Sequence, residues 1–150
     1  MEENRNTPNT DNIDLIDSII KLDEDEFMHE KQQKIEIERL TKATGKQFLI
    51  TIKSLSVDRL YDLQSSSLSS KGGVHLGKFY KGALTACSEA IVSPNFDDIR
   101  LKKKLKLNEQ ALKIDVLKKV FKPSEIQFIN SQIMALSGFE NNTENELKKD

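Results

Sequence analysis

A chain of 150 residues is long enough for one domain with its own core, and 37% apolar against 31% charged residues makes it rather polar for that size. The formal charge of −1 argues against a protein whose main task is gripping nucleic acid. A single cysteine, Cys87, excludes an intramolecular disulfide and suits a reducing compartment. The opening MEENRNTPNTDN lacks the basic start and apolar centre of a signal peptide, and no run approaches the ~18 apolar residues of a membrane span. Retention in the cytosol, with no membrane partner, is the expectation.

Residues 1–12 are polar, contain Pro8 and read as a disordered lead-in. Residues 13–22 then form a short amphipathic run, in which Leu15 or Ile16 lines one apolar face with Ile19, Ile20 and Leu22. A helix of about ten residues is marginal in isolation because nucleation is costly, so this one needs a partner surface, in its own domain or on another protein. The acidic run Asp23–Glu26 reads as a solvated link.

The period then changes. Ile35 and Ile37 alternate with Lys34, Glu36 and Glu38, and Phe48, Ile50 and Ile52 alternate with Gln47, Leu49, Thr51 and Lys53. A two-residue period of this kind marks half-buried strands. Thr44-Gly45 between them offers a turn able to take a positive φ, so the expectation over 31–53 is a β-hairpin. A lone hairpin is rarely stable in water, so its Ile/Phe face must pack on helices or extend another sheet.

Helical spacing dominates from residue 56 onward. Ser56 is placed as an N-cap, with Asp58 in the first turn and Val57, Leu60 and Leu63 facing inward. The Ser/Gly-rich stretch 65–73 reads as a flexible loop. Tyr80, Leu84, Cys87 and Ile91, with Ala83 and Ala90, predict one helical stripe, which Ser93-Pro94 breaks. A shorter helix follows over FDDIRLKKKLKL, with Leu101 and Leu105 inward and the lysines outward. Leu112, Val116, Leu117, Val120 and Phe121 predict a third stripe, and Ile126, Ile129, Ile133 and Leu136 a fourth. That last helix is bracketed by Pro123 at its first position, Glu125 in its first turn and Gly138 past its end, where Phe139 can fold back toward Met134. The fold expected is α+β, mainly α: one domain over 13–139 with an N-terminal hairpin and a helical unit over 56–139, then a polar tail from 140 to 150.

No catalytic constellation is legible, and no cofactor or metal is expected. One cysteine and two distant histidines, His29 and His75, do not supply the ligand set of a zinc site. Cys87 lies on an apolar stripe and reads as a buried thiol. Asp97 and Asp98 fall where a helix start already favours acidic residues. Gly72–Lys78 lacks the spacing of a phosphate loop. The run Arg100–Lys106 has no flanking aromatic residues for base stacking and reads first as a solvated helix face, then as a surface for an acidic protein partner.

The helical unit also carries a family resemblance. Ser93-Pro94-Asn95-Phe96-Asp97-Asp98 with Leu101, then Val116–Ile126 with its Leu117, Pro123 and Glu125, then Leu136-Ser137-Gly138-Phe139 run in the order seen in XkdN-like phage tail assembly chaperones. The resemblance covers residues 84–139 well and the N-terminal half in outline. Ser124 stands where that family usually has glycine, and the link 103–108 lacks the glycine expected between the two middle helices. The resemblance implies a chaperone of contractile-tail phages or related prophages that binds the tape measure protein in the bacterial host cytoplasm. It would keep that client soluble while tail tube subunits polymerise, and would be absent from the mature virion. It further implies possible self-association, and recruitment of tail tube protein through a frameshifted longer form. The candidate client-binding residues are Leu15, Ile16, Ile19, Ile20, Ile114 and Phe128, with Pro94, Phe96, Asp98, Leu117, Pro123, Glu125, Gly138 and Phe139 as the structural residues of the family pattern. The rival expectations are a small helical DNA-associated prophage regulator and a minor structural component of the tail.

Overall fold

A computed structural model describes residues 14–23, 30–65 and 76–139. The expected lead-in, most of the acidic link, the Ser/Gly-rich loop after Ser65, both histidines and the polar tail lie outside the described residues, while Ser65 itself closes a helix. Contacts divide the chain into two units, residues 1–30 and residues 31–150. In the first unit, residues 14–20 form helix α1, and every described residue of it is exposed.

The second unit is built on a three-stranded antiparallel sheet, β1 (Gln32–Glu36), β2 (Leu49–Lys53) and β3 (Ile91–Ser93), in the order β1-β2-β3. The alternation legible in the sequence sets the faces. Ile35 opposes Ile50, and Ile35, Ile37, Ile50 and Ile52 are all buried. Two expectations are corrected here. The connection between β1 and β2 is a seven-residue helix, α2 (Glu38–Thr44), in place of a tight turn. The ladder closes with Ile37 N–H donating to the Phe48 carbonyl at 3.1 Å, so residues 38–47 must cross back outside it. Good helix formers in that interval coil, and Gly45, at φ 74°, caps the coil through its N–H to the Thr41 carbonyl. The Thr41 hydroxyl ties the helix to the ladder, donating to Glu36 at 2.7 Å and accepting from the Phe48 N–H at 2.8 Å.

The second correction is β3. The stripe from Tyr80 runs as a helix only to Ala90, and Ile91–Ser93 leave it to pair with β2 across a register irregularity at Thr51/Ile52. β-branched Ile91 and Val92 suit that pairing, but only the presence of β2 decides it.

The helices are α3 (Val57–Ser65), α4 (Leu76–Ala90), α5 (Ile99–Lys104), α6 (Lys113–Val120) and α7 (Pro123–Leu136). α4 packs along α7 and against α3 and α6, and α7 also meets β2. The core between them holds Leu60, Leu84, Cys87, Val116, Leu117, Phe121, Ile126, Ile129 and Ile133. Ser56 caps α3, its hydroxyl accepting from the Arg59 N–H at 3.1 Å. Val57 is exposed, because side chains lean toward a helix's N-terminus and at its first residue there is no earlier turn to cover. Leu112 is exposed too, since it caps α6 from outside and does not join its stripe. α7 ends in the predicted cap: Gly138 at φ 103° donates to the Ala135 carbonyl, and the Phe139 N–H to the Met134 carbonyl at 2.9 Å.

α5 ends the same way without a glycine. Lys106, at φ 61°, donates to the Lys103 carbonyl, and the Leu107 N–H to the Lys102 carbonyl at 2.8 Å. A lysine thus holds the left-handed position in the link where the resemblance expects glycine. Lys106→Gly is expected to stabilise the protein by about 0.5–1 kcal/mol, the relief of left-handed strain outweighing the added chain entropy; the shift in urea midpoint measures it. Lys102 is a further departure from expectation. It is buried, donating to the Glu109 carbonyl at 3.2 Å and lying 3.6 Å from an Asp97 carboxylate oxygen, so the lysine run is not uniformly a solvated face.

Candidate functional site

Three residues of the family pattern, Pro94, Phe96 and Asp98, come together on one side of α2. Phe96 is buried and meets Phe121 edge to face, ring centroids 5.5 Å apart at 64°. Asp98 caps α5, accepting from the Arg100 N–H at 2.8 Å and pairing with its guanidinium at 2.7 Å. The hydrogen bonds from Arg100, side chain first, draw the Asp98 carboxyl down to about 2. Pro94, Phe96 and Asp98 then line an open groove of 420 Å³ together with Leu40 of α2, Phe48, Leu101 of α5 and Val120 of α6. Its walls are mainly apolar, and Arg100 stands at the margin.

A second hollow, of 330 Å³, lies along the other side of α2, lined by Ile37, Arg39, Glu125 and Phe128 among others. Leu40 and Arg39 are consecutive residues that line different hollows, so α2 is the partition between them. No residue of α2 is fully buried. It is held to the helices chiefly through Arg39, whose guanidinium forks onto both Glu125 carboxylate oxygens at 2.8 and 2.9 Å and donates to the Val120 carbonyl at 2.8 Å. One side chain therefore binds the last turn of α6 and the first turn of α7, while Glu125 also accepts from the Lys122 N–H at 2.8 Å. Arg39 had little signal in the sequence, because the residue it meets is 86 positions away.

The Arg39 hydrogen bond is the main cause holding the Glu125 carboxyl below its ordinary pKa. A lowered carboxylate pKa contributes stability that is complete above the unfolded value, about 4.3, and is lost as pH falls below it. Arg39→Met is expected to cost about 1–2 kcal/mol at neutral pH, at the low end for charge-assisted bonds because the guanidinium is partly in water. The deficit relative to wild type should shrink as the buffer is taken from about pH 6 to about pH 3, which paired urea titrations would measure.

The remaining candidate residues fall in different places. Leu117 is fully buried, and Pro123 opens α7. Ile114 is partly buried against the core, so its side chain serves packing. Phe128 is 46% exposed beside the second hollow. Leu15, Ile16, Ile19 and Ile20 are exposed on α1 in the first unit. Cys87 is buried with its thiol pushed up to about 12 by desolvation, its Sγ 3.6 Å from the Ile126 carbonyl. Among the described residues no group of three or more His, Cys, Asp and Glu is arranged to hold a metal ion, and no helix is long and apolar enough to cross a membrane.

These features define a small, mainly helical α+β protein whose most distinctive surface is an apolar groove walled by a thinly anchored helix. The chain belongs to the phage XkdN-like tail assembly chaperone (TAC) family, whose model matches residues 17–149. Among solved structures it is similar to the crystal structure of the protein yqbn, at 19% identity and a TM-score of 0.44 over 73% of this chain and 88% of that one. No curated protein matches the chain.

Proposed function

We propose that this tail assembly chaperone binds the tape measure protein in the bacterial host cytoplasm and keeps it soluble while tail tube subunits polymerise around it, in a contractile tail that does not retain the chaperone. The observation that carries this reading is the open groove beside α2, where Leu40, Phe48 and Val120 meet Pro94 and Phe96 of the family pattern. A holdase needs an apolar surface of this kind, long enough to cover aliphatic and aromatic side chains of a helical client. The groove also lies beside the Arg39 anchor, so a shift of α2 would widen it at the loss of few contacts. Recruitment of tail tube protein belongs to a longer, frameshifted product that adds a domain beyond the polar tail.

Co-expression with the tape measure protein tests this. The client should move into the soluble fraction and co-purify with the wild-type chain. Leu40→Asp should return most of it to the pellet, whereas Lys118→Glu, on an exposed face of α6, should leave recovery unchanged. A client that stays insoluble with wild type, or that responds equally to both variants, rejects the reading. Salt-sensitive binding to duplex DNA would favour a regulator, and detection of the chain in purified tails would favour a structural component.

A further inference from the structure

Charge is segregated along this chain. Residues 1–30 carry ten carboxylates against Arg5 and Lys21, a formal −8, whereas residues 31–139 carry nineteen Lys and Arg against ten carboxylates, a formal +9. The near-zero total conceals two strongly charged parts of opposite sign. Within the acidic part, α1 presents Leu15, Ile16, Ile19 and Ile20 at 45–71% exposure, with Asp14 and Asp17 on the same short helix. Within the basic part, the groove beside α2 presents apolar walls around 420 Å³, with the ion pair of Asp98 and the 92% exposed Arg100 at its margin.

The segment matches the groove in apolar character and the body that carries the groove in net charge. Aliphatic side chains at helical spacing fit an apolar recess, the mode by which amphipathic helices lie in grooves. A recess of a few hundred Å³ is the size that takes a small number of such anchors. An acidic helix approaching a basic body is steered toward it and is penalised elsewhere on surfaces of its own sign. A helix as short as α1 gains its stability from burial on a partner, since nucleation alone disfavours it. Nucleic acid would also be drawn to a +9 body, but phosphates would leave the apolar groove and the apolar face of α1 both uncovered.

We propose that residues 14–22 of one copy dock as an acidic amphipathic helix in the groove beside Leu40 and Phe96 of a second copy. The contact joins different patches on the two partners, so it closes as a reciprocal pair or grows head to tail. A bound client segment competes for the same groove, which makes free chaperone self-associated and client-loaded chaperone dissociated. The inference concerns this chain alone and does not rest on the identity of the client.

Sedimentation velocity on the full chain over a wide concentration series tests it. Wild type is expected to associate, less strongly as salt is raised. The double variant Ile16→Asp, Ile19→Asp and the groove variant Leu40→Asp should each weaken association at least about tenfold, with helical circular dichroism retained. Arg100→Gln removes no packing, leaves the Asp98 carboxylate at the groove margin without its cation and should weaken association about threefold, which guards against a Leu40 variant that misfolds. The decisive sample mixes the segment variant with the groove variant. One intact segment then faces one intact groove, and the mixture should form a 1:1 pair although each variant alone does not.

A wild-type chain that is monomeric throughout overturns the proposal. So does a segment variant, or a pair of groove variants, that associates like wild type, or a folded mixture that stays monomeric. Association that disappears on nuclease treatment overturns it as well, assigning the basic body to phosphate. None of these outcomes bears on whether the tape measure protein is the client.

Discussion

Phe96→Ala is expected to destabilise the protein by about 3–5 kcal/mol, the range for removing a buried aromatic ring from a packed site. Phe96 is 3% exposed, and its ring stands edge to face against Phe121, so truncation leaves a void and also forfeits the aromatic contact. The effect should be readable as a fall of more than about 1 M in urea midpoint, given slopes of about 1–3 kcal/mol per molar for proteins of this size. Phe96→Leu keeps most of the apolar volume and should cost no more than about 1.5 kcal/mol. The same side chain lines the groove, so a Phe96→Ala protein that still folds should also lose its partner. If the alanine variant costs less than about 1 kcal/mol, the segment 94–98 does not pack on α6 as described.

Gly82→Val is expected to be comparably severe. Gly82 sits in the interior of α4, where glycine is otherwise a poor choice by about 1 kcal/mol. The reason it is there is the approach of α3: a Cβ built on Gly82 would lie 2.7 Å from the Leu63 carbonyl oxygen, a backbone atom that no side-chain rotation can move away. Any larger residue must push α3 from α4 and disturb Leu60 and Ala83, which are buried at that contact. Gly82→Ala sets the helix-propensity gain against that clash and should still lose about 1–2 kcal/mol. Gly82→Val adds two methyl groups and should lose more than about 3 kcal/mol. Thermal and urea unfolding of the two variants would measure this, and an alanine variant more stable than wild type would show that α3 yields without cost.

Both residues illustrate the division between what is local and what is not. Phe96 was legible as part of a pattern, but its partner Phe121, twenty-five positions on, was legible only as a member of another stripe. Gly82 carried half a signal, because a helix-interior glycine announces a close neighbour without saying which.

What the sequence determined by itself is whatever depends on nearby residues. Helical spacing placed Leu84, Cys87, Leu117, Ile126, Ile129 and Ile133 inward, and the two-residue period placed Ile35, Ile37, Ile50 and Ile52 on one face of the sheet. Ser56, Pro123 and Gly138 marked helix ends because capping involves atoms within a turn of the residue concerned. The ordered pattern from Ser93 to Phe139 pointed to the family, whose model matches residues 17–149. Only the tertiary structure decided the remainder. Ile91–Ser93 become a strand because β2 offers hydrogen bonds that a helix would leave unmade. Residues 38–44 become a helix because the ladder ends at Ile37 and Phe48, with Arg39 anchored to Glu125 across 86 positions. Lys102 is drawn inside because the Glu109 carbonyl and Asp97 together satisfy its ammonium group. The groove is made by α2, α5, α6 and the 94–98 segment meeting in space, a conjunction that no periodicity in one dimension encodes.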